Sequence, residues 1–140
     1  DKEGRIYVAD FGNNAIRLIQ KDDTGILKVG TFAGATAAPG FKEGPGAGAQ
    51  FNDPWGLTVD AVGRIFVADY GNSLIRKITP DGVVSTYAGF IDVVTENPVS
   101  GFVDGPASES KFAAPAGVVI DELGYVYVVD SENNCIRRIH

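Results

Sequence analysis

Along residues 54–89 the apolar positions fall into four short bursts, separated each time by Gly, Pro, Asn or Asp. "WGLTVD" is short and rich in β-formers. "DAVG" follows as a turn, with Asp60 and Gly63 supplying the turn chemistry. "RIFVAD" is apolar on both faces of an extended chain: Ile65 and Val67 point one way, Phe66 and Ala68 the other. A strand of that kind has to lie between two layers. "YGNS" is a second turn, rich in residues that tolerate positive φ. "LIRKIT" is a third strand, "PDG" a third turn and "VVSTYAG" a fourth strand. No stripe of helical period and useful length interrupts this pattern, which excludes a helical solenoid.

The pattern is written more than once. "GRIYVAD" begins at Gly4, "GRIFVAD" at Gly63 and "GYVYVVD" at Gly124, intervals of 59 and 61 residues. "FNDPWGLTVD" (51–60) returns as "FAAPAGVVID" (112–121), and "GFKEGPG" (40–46) as "GFVDGPA" (101–107). "KVGTFAG" (28–34) and "VSTYAGF" (84–90) match more loosely. Repeated four-stranded antiparallel meanders predict an all-β fold, a β-propeller with about two and a half blades present. A β-sandwich is the alternative, although it would not normally repeat its strands so closely. The expected parts are a partial three-stranded blade over 1–34, an inter-blade loop over 35–53 and a complete blade over 54–89. A second loop over 90–114 and a partial three-stranded blade over 115–140 follow. Further blades or further copies are expected to complete the ring. With no methionine, the chain reads as part of a longer one.

The repeated phrases carry a resemblance. P-x-G-[VL]-x-[VI]-D in "PWGLTVD" and "PAGVVID" is followed by G-x-[IV]-[YF]-V-[AV]-D. Asn13, Asn72 and Asn133 then precede Ile-Arg at 16–17, 75–76 and 136–137. Together these resemble the NHL-repeat family of β-propellers, in a bacterial-type form with long inter-blade loops. The low-density-lipoprotein-receptor propeller is a cousin, but would carry Trp and Thr where this chain has Val8-Ala9 and Val67-Ala68. The resemblance implies a secreted, periplasmic or cell-surface setting. Members of the family bind proteins, RNA or small molecules, and a few propellers of similar build are lyases or lactonases, so the architecture alone selects no chemistry.

Within a meander, the turn after "VAD" and the link from strand four open on one face, and the short turns open on the other. The links are long, where about 4–6 residues is usual and more than about 12–15 commonly marks function. They carry Phe41, Phe51, Phe90, Phe102 and Phe112. Phe51 and Phe112 are expected to point inward, and "ASESKF" to make one helical turn. This long-loop face is the candidate ligand-binding surface, through Phe11, Asn13, Lys42, Glu43, Tyr70, Asn72, Asp104, Ser131 and Asn133. Features present in every copy belong to the scaffold: Asp10, Asp69 and Asp130 as turn acceptors, Arg17, Arg76 and Arg137 as ion-pair or stacking partners. Departures from the repeat are the better site candidates, namely Lys42, Trp55, Tyr70 and the Ser131-Glu132 pair.

Composition narrows the function further. The net charge of −6 argues against nucleic acid as partner. No run of about 18 apolar residues forms a membrane segment. The single histidine is His140 and the single cysteine, Cys135, stands where Ala15 and Leu74 stand in the other copies. No catalytic group, metal set or cofactor is therefore assigned. "GPGAGAQ" lacks the Lys-Ser/Thr ending of a phosphate loop. The expectation is a non-catalytic binding or scaffold propeller that takes a protein or glycan ligand. The alternatives are a fragment of a propeller lyase or lactonase with its catalytic residues in other blades, and an RNA-binding regulatory propeller.

Overall fold

The computed structural model describes residues 1–34 and 38–140; the first three residues of the expected 35–53 loop lie outside them. A first sheet holds β1 (Ile6–Asp10), β2 (Ala15–Lys21) and β3 (Leu27–Ala33) in sequential antiparallel order. The middle sheet contains β4 (Gly44–Pro45), β5 (Pro54–Val59), β6 (Ile65–Asp69), β7 (Leu74–Ile78) and β8 (Val83–Ala88), ordered β4-β8-β7-β6-β5. β9 (Phe90–Ile91) and β10 (Pro98–Val99) pair as a small ribbon. A third sheet is β11 (Pro115–Ile120), β12 (Val126–Asp130) and β13 (Cys135–Ile139). The three meanders are blades of an open, partial propeller. β1, β6 and β12 are equivalent strands.

The middle sheet is packed on both faces, as its all-apolar second strand requires. Ile65 and Val67 enter a core with Tyr7, Ile16, Phe51 and Ile78 against the first sheet. Phe66 and Ala68 enter a separate core with Ile75, Phe112, Val118 and Val128 against the third. Phe51 and Phe112 are the equivalent inward plugs of the two seams, and both are buried. The seams converge at β5 and β11. A Cβ on Gly56 would stand 2.7 Å from the Ala116 carbonyl oxygen, so this close approach requires glycine.

The turns explain much of the repeated lettering. After each "VAD" the chain makes one 3₁₀ turn, Phe11–Asn13, Tyr70–Asn72 or Ser131–Asn133. It leaves through a left-handed residue, Asn14, Ser73 or Asn134, with φ of 53°, 54° and 55°. At the other end of the hairpin, Asp60 accepts the N–H groups of Val62 and Arg64 at 3.0 and 2.8 Å, and Asp121 does the same for Leu123 and Tyr125 at 2.9 Å. Strand four ends in an Ala-Gly pair because Gly89 has φ 115° and a Cβ there would meet Leu74 at 2.4 Å.

The first link joins the middle sheet, and the second folds on itself as the β9–β10 ribbon. β4 adds a fifth strand to the outer edge of the middle sheet by pairing with Val83 and Val84. The following turn, Gly46–Gly48, packs on β3, and its Gly46 carbonyl accepts the N–H of Gly34 at 2.9 Å. The second link repeats the last contact with Gly89 and Ala107 at 2.9 Å. Its expected helical turn appears as a single turn closed by the Ser110 N–H on the Pro106 carbonyl. No helix among the described residues is long and apolar enough to cross a membrane.

Candidate functional site

The polar residues common to all copies assemble first. Asp69 and Arg76 meet diagonally across the β6–β7 ladder, where Asp69 is opposite Leu74 and Arg76 opposite Val67, and are both fully buried, with Oδ2 2.9 Å from Nη1. Asp69 Oδ2 also accepts Asn72 Nδ2 at 2.9 Å, and Oδ1 accepts the N–H of Asn52 at 2.8 Å. The guanidinium donates to the carbonyls of Gln50 and Lys42, both at 3.1 Å, and lies between the rings of Phe41 and Phe51, 5.0 and 5.3 Å from their centroids. Asn72 donates further to the Gly40 carbonyl at 2.8 Å. Burial pushes the Asp69 carboxyl up, opposed by Arg76, Asn72 and the Asn52 N–H. As turn acceptors these aspartates are expected to bond the N–H groups of their own turns. Instead, the second oxygen of Asp69 reaches the N–H of the preceding link.

The third sheet repeats the arrangement. Arg137 bonds Asp130 at 2.9 Å and the carbonyls of Lys111 and Val103 at 3.1 and 2.9 Å, between the rings of Phe102 and Phe112. Asp104 also pairs with this guanidinium. Asn133 joins Asp130 to the Gly101 carbonyl. In the first sheet Arg17 and Asp10 are 3.3 Å apart and part-exposed, and among the described residues Asn13 donates to Asp10 alone. The Asp69 and Asp130 clusters are clamps, each fastening the preceding link to its blade.

Several sequence-nominated residues are thereby occupied with the scaffold. Asn72 and Asn133 tie links down, and Asp104 completes the clamp of the third sheet. Glu43 accepts the Thr86 N–H at 2.7 Å, and the backbone of Lys42 pairs with Gln50 while its side chain is exposed. The Ser131 hydroxyl donates to the Ala114 carbonyl.

Phe11 and Tyr70 are different. They are equivalent turn residues on adjacent blades, and Trp55 bridges them. The Phe11 and Trp55 ring centroids are 5.1 Å apart at 72°, and those of Trp55 and Tyr70 5.2 Å apart at 43°. Trp55 is 55% and Phe11 43% exposed. An irregularity between Pro54 and Leu57 interrupts the β5–β6 ladder at this point. Two polar neighbours were missed from sequence. Asn52 lies against Gly71, where a Cβ would be 2.5 Å from its Cγ. Asp53 has φ 53°, and its N–H donates to Asn14 Oδ1 at 2.9 Å. The signal that could have found them was the one that marked Trp55: the next copy has Ala113, Ala114 and Ala116 at these three places. Among the described residues no group of three or more His, Cys, Asp or Glu side chains could hold a metal ion.

The family model described as "NHL repeat" matches residues 51–78 and 112–139, the β5–β7 and β11–β13 hairpins with their turns. The chain is 30% identical over 138 residues to Suppressor of Quenching 1, chloroplastic, of Arabidopsis thaliana, covering 95% of this chain and 12% of that protein. It is 37% identical over 87 residues to NHL repeat-containing protein 2 of Bos taurus, covering 61% of this chain and 11% of that one. The chain thus spans only a small part of the curated relatives it matches. Among solved structures, an auxiliary nutrient binding protein from Bacteroides thetaiotaomicron superposes with a TM-score of 0.84 at 26% identity, over 99% of this chain and 35% of that one. The blades, clamps and matched hairpins make the chain a member of the NHL-repeat family of β-propellers, of which it forms an open part.

Proposed function

We propose that this propeller module is a non-catalytic binding module that takes a protein or glycan ligand on its long-link face. The observation that carries this reading is the Phe11–Trp55–Tyr70 cluster, in which Phe11 and Trp55 are exposed and Tyr70 is half-buried. Large apolar rings are normally spent on a core, and here three meet at a surface where the repeat departs from itself. The neighbouring clamps fix the turn of Tyr70 and the link before Trp55, so the surface is held on rigid elements. The Bacteroides nutrient-binding propeller supports a ligand-binding role by its likeness. An extracytoplasmic setting fits that role, and the net charge of −6 disfavours a polyanionic ligand.

The test masks one face at a time. In the intact protein with Cys135→Ala, Gly12→Cys carries a maleimide-polyethylene glycol on the long-link face. Val62→Cys carries it on the opposite face. The first adduct should lose retention of the ligands captured from culture medium or cell-envelope extract, and the second should keep it. Equal loss from both adducts, or loss only from Val62→Cys, contradicts the proposal.

A further inference from the structure

We infer that the shelf of Phe11, Trp55 and Tyr70, edged by the side chains of Asn52 and Asp53, is a stacking site for the pyranose rings of a neutral carbohydrate chain. The inference rests on the binding reading above and adds the ligand class and the residues that hold it. The first ground is ring geometry. Neighbouring centroids only 5.1 and 5.2 Å apart mean that the rings touch each other. No gap between them admits a cationic headgroup, as an aromatic cage requires. Nor is there a slot between the rings for a single anchoring side chain of a protein partner. A ligand has to lie across the outer ring faces. The C–H bonds on one face of a pyranose suit the negative ring face, and three adjoining rings inclined at 72° and 43° offer more than one such face.

The second ground is polar and independent of the rings. Among the described residues no hydrogen bond or ion pair engages the Asp53 carboxylate or the Asn52 side-chain amide; Asn52 bonds through its backbone N–H and carbonyl, and Asp53 through its backbone N–H. Asn52 packs on the turn that carries Tyr70, and Asp53 is tied to the turn that carries Phe11. Both are planar groups with free lone pairs, and Asn52 adds two donors, which matches the paired hydroxyls at the rim of a stacked sugar. The third ground is that no fold requirement demands these residues. The next repeat makes the same link with Ala113, Ala114 and Ala116, and Ala114 keeps φ 50° where Asp53 has 53°.

That internal precedent makes the test clean, because each alanine substitution copies what the next repeat already carries. The intact protein is run by affinity electrophoresis through gels containing hydroxyethyl cellulose, galactomannan, xylan or dextran. At least one polysaccharide should retard it. Trp55→Ala should weaken that interaction about tenfold or more, Trp55→Phe should restore part of it, and Asn52→Ala and Asp53→Ala should each weaken it severalfold. Every variant should keep a cooperative melting transition, with Trp55→Ala, which gives up two ring contacts, lowering the melting temperature by a few degrees at most. Retardation that survives Trp55→Ala overturns the shelf, and absence of retardation in all four gels overturns the carbohydrate assignment. If the Gly12 adduct still blocks ligand capture in either case, the binding reading stands without this inference.

Discussion

Arg76 shows what a residue common to every repeat is for. Among the described residues it is the largest fully buried side chain, and Asp69 is the one carboxylate that balances its charge. Removing one partner of such a pair leaves an uncompensated buried charge. Asp69→Asn should therefore cost about 3–5 kcal/mol in urea denaturation. Asp10→Asn, at the part-exposed first-sheet pair, should cost about 1 kcal/mol or less. Asp60 is the pH-sensitive counterpart. Burial raises its carboxyl, but Arg64 and the N–H groups of Arg64 and Val62 outweigh this and hold it below the ordinary 3.8. A lowered folded-state pKa contributes stability above 3.8, which is lost as pH falls through the folded value. The Val62 and Arg64 amide resonances should therefore titrate with a midpoint below 3.8; a midpoint at or above it contradicts the turn assignment.

At the scale of the element, the blade strands were legible in the sequence and the links were not. The unbroken apolar run and the fixed spacing of "RIFVAD" are local features of a hairpin, and the repeat supplied independent readings of each strand. The role of Arg76 depends on carbonyls at Lys42 and Gln50 and on rings at Phe41 and Phe51, up to 35 residues away in sequence. No local pattern encodes that meeting. The same distance hid β4, whose two residues become a strand only because β8 presents an edge. Of the nominated binding residues, Phe11 and Tyr70 meet at the exposed shelf. Asn72, Asn133, Glu43 and Asp104 were nominated for polarity at a turn or link, and their polarity serves the scaffold. Trp55 was marked as a departure from the repeat, and that criterion extends to Asn52 and Asp53. The sandwiched strand has its own test: Val67→Asp puts a carboxylate in a fully buried site. It should abolish the cooperative melting transition, and an unchanged melting profile would contradict the packing of β6 on two neighbours.

At the scale of the molecule, the outer faces of the first and third sheets report the architecture. Val67 and Ile65 are fully buried in the middle sheet, while their equivalents Val8 and Ile6 are 39% and 55% exposed. On the other side, Ala68 and Ile75 are buried and Val129 and Ile136 exposed. Equivalent apolar residues on equivalent strands call for equivalent partners, so these faces belong against further sheets. Val8→Asp in the intact protein should therefore lower the melting temperature, whereas Val62→Asp, on a short turn, should leave it unchanged. Equal responses would contradict an arc within a larger ring. On the proposed reading, ligand binding belongs to the long-link face. Hydrogen–deuterium exchange on the intact protein, with and without a polysaccharide that retards it or the cell-envelope fraction it captures, reads this directly. Protection should rise over 11–14, 52–56 and 70–73 and stay unchanged over 60–64, 79–83 and 121–125; protection confined to the second set would contradict the account.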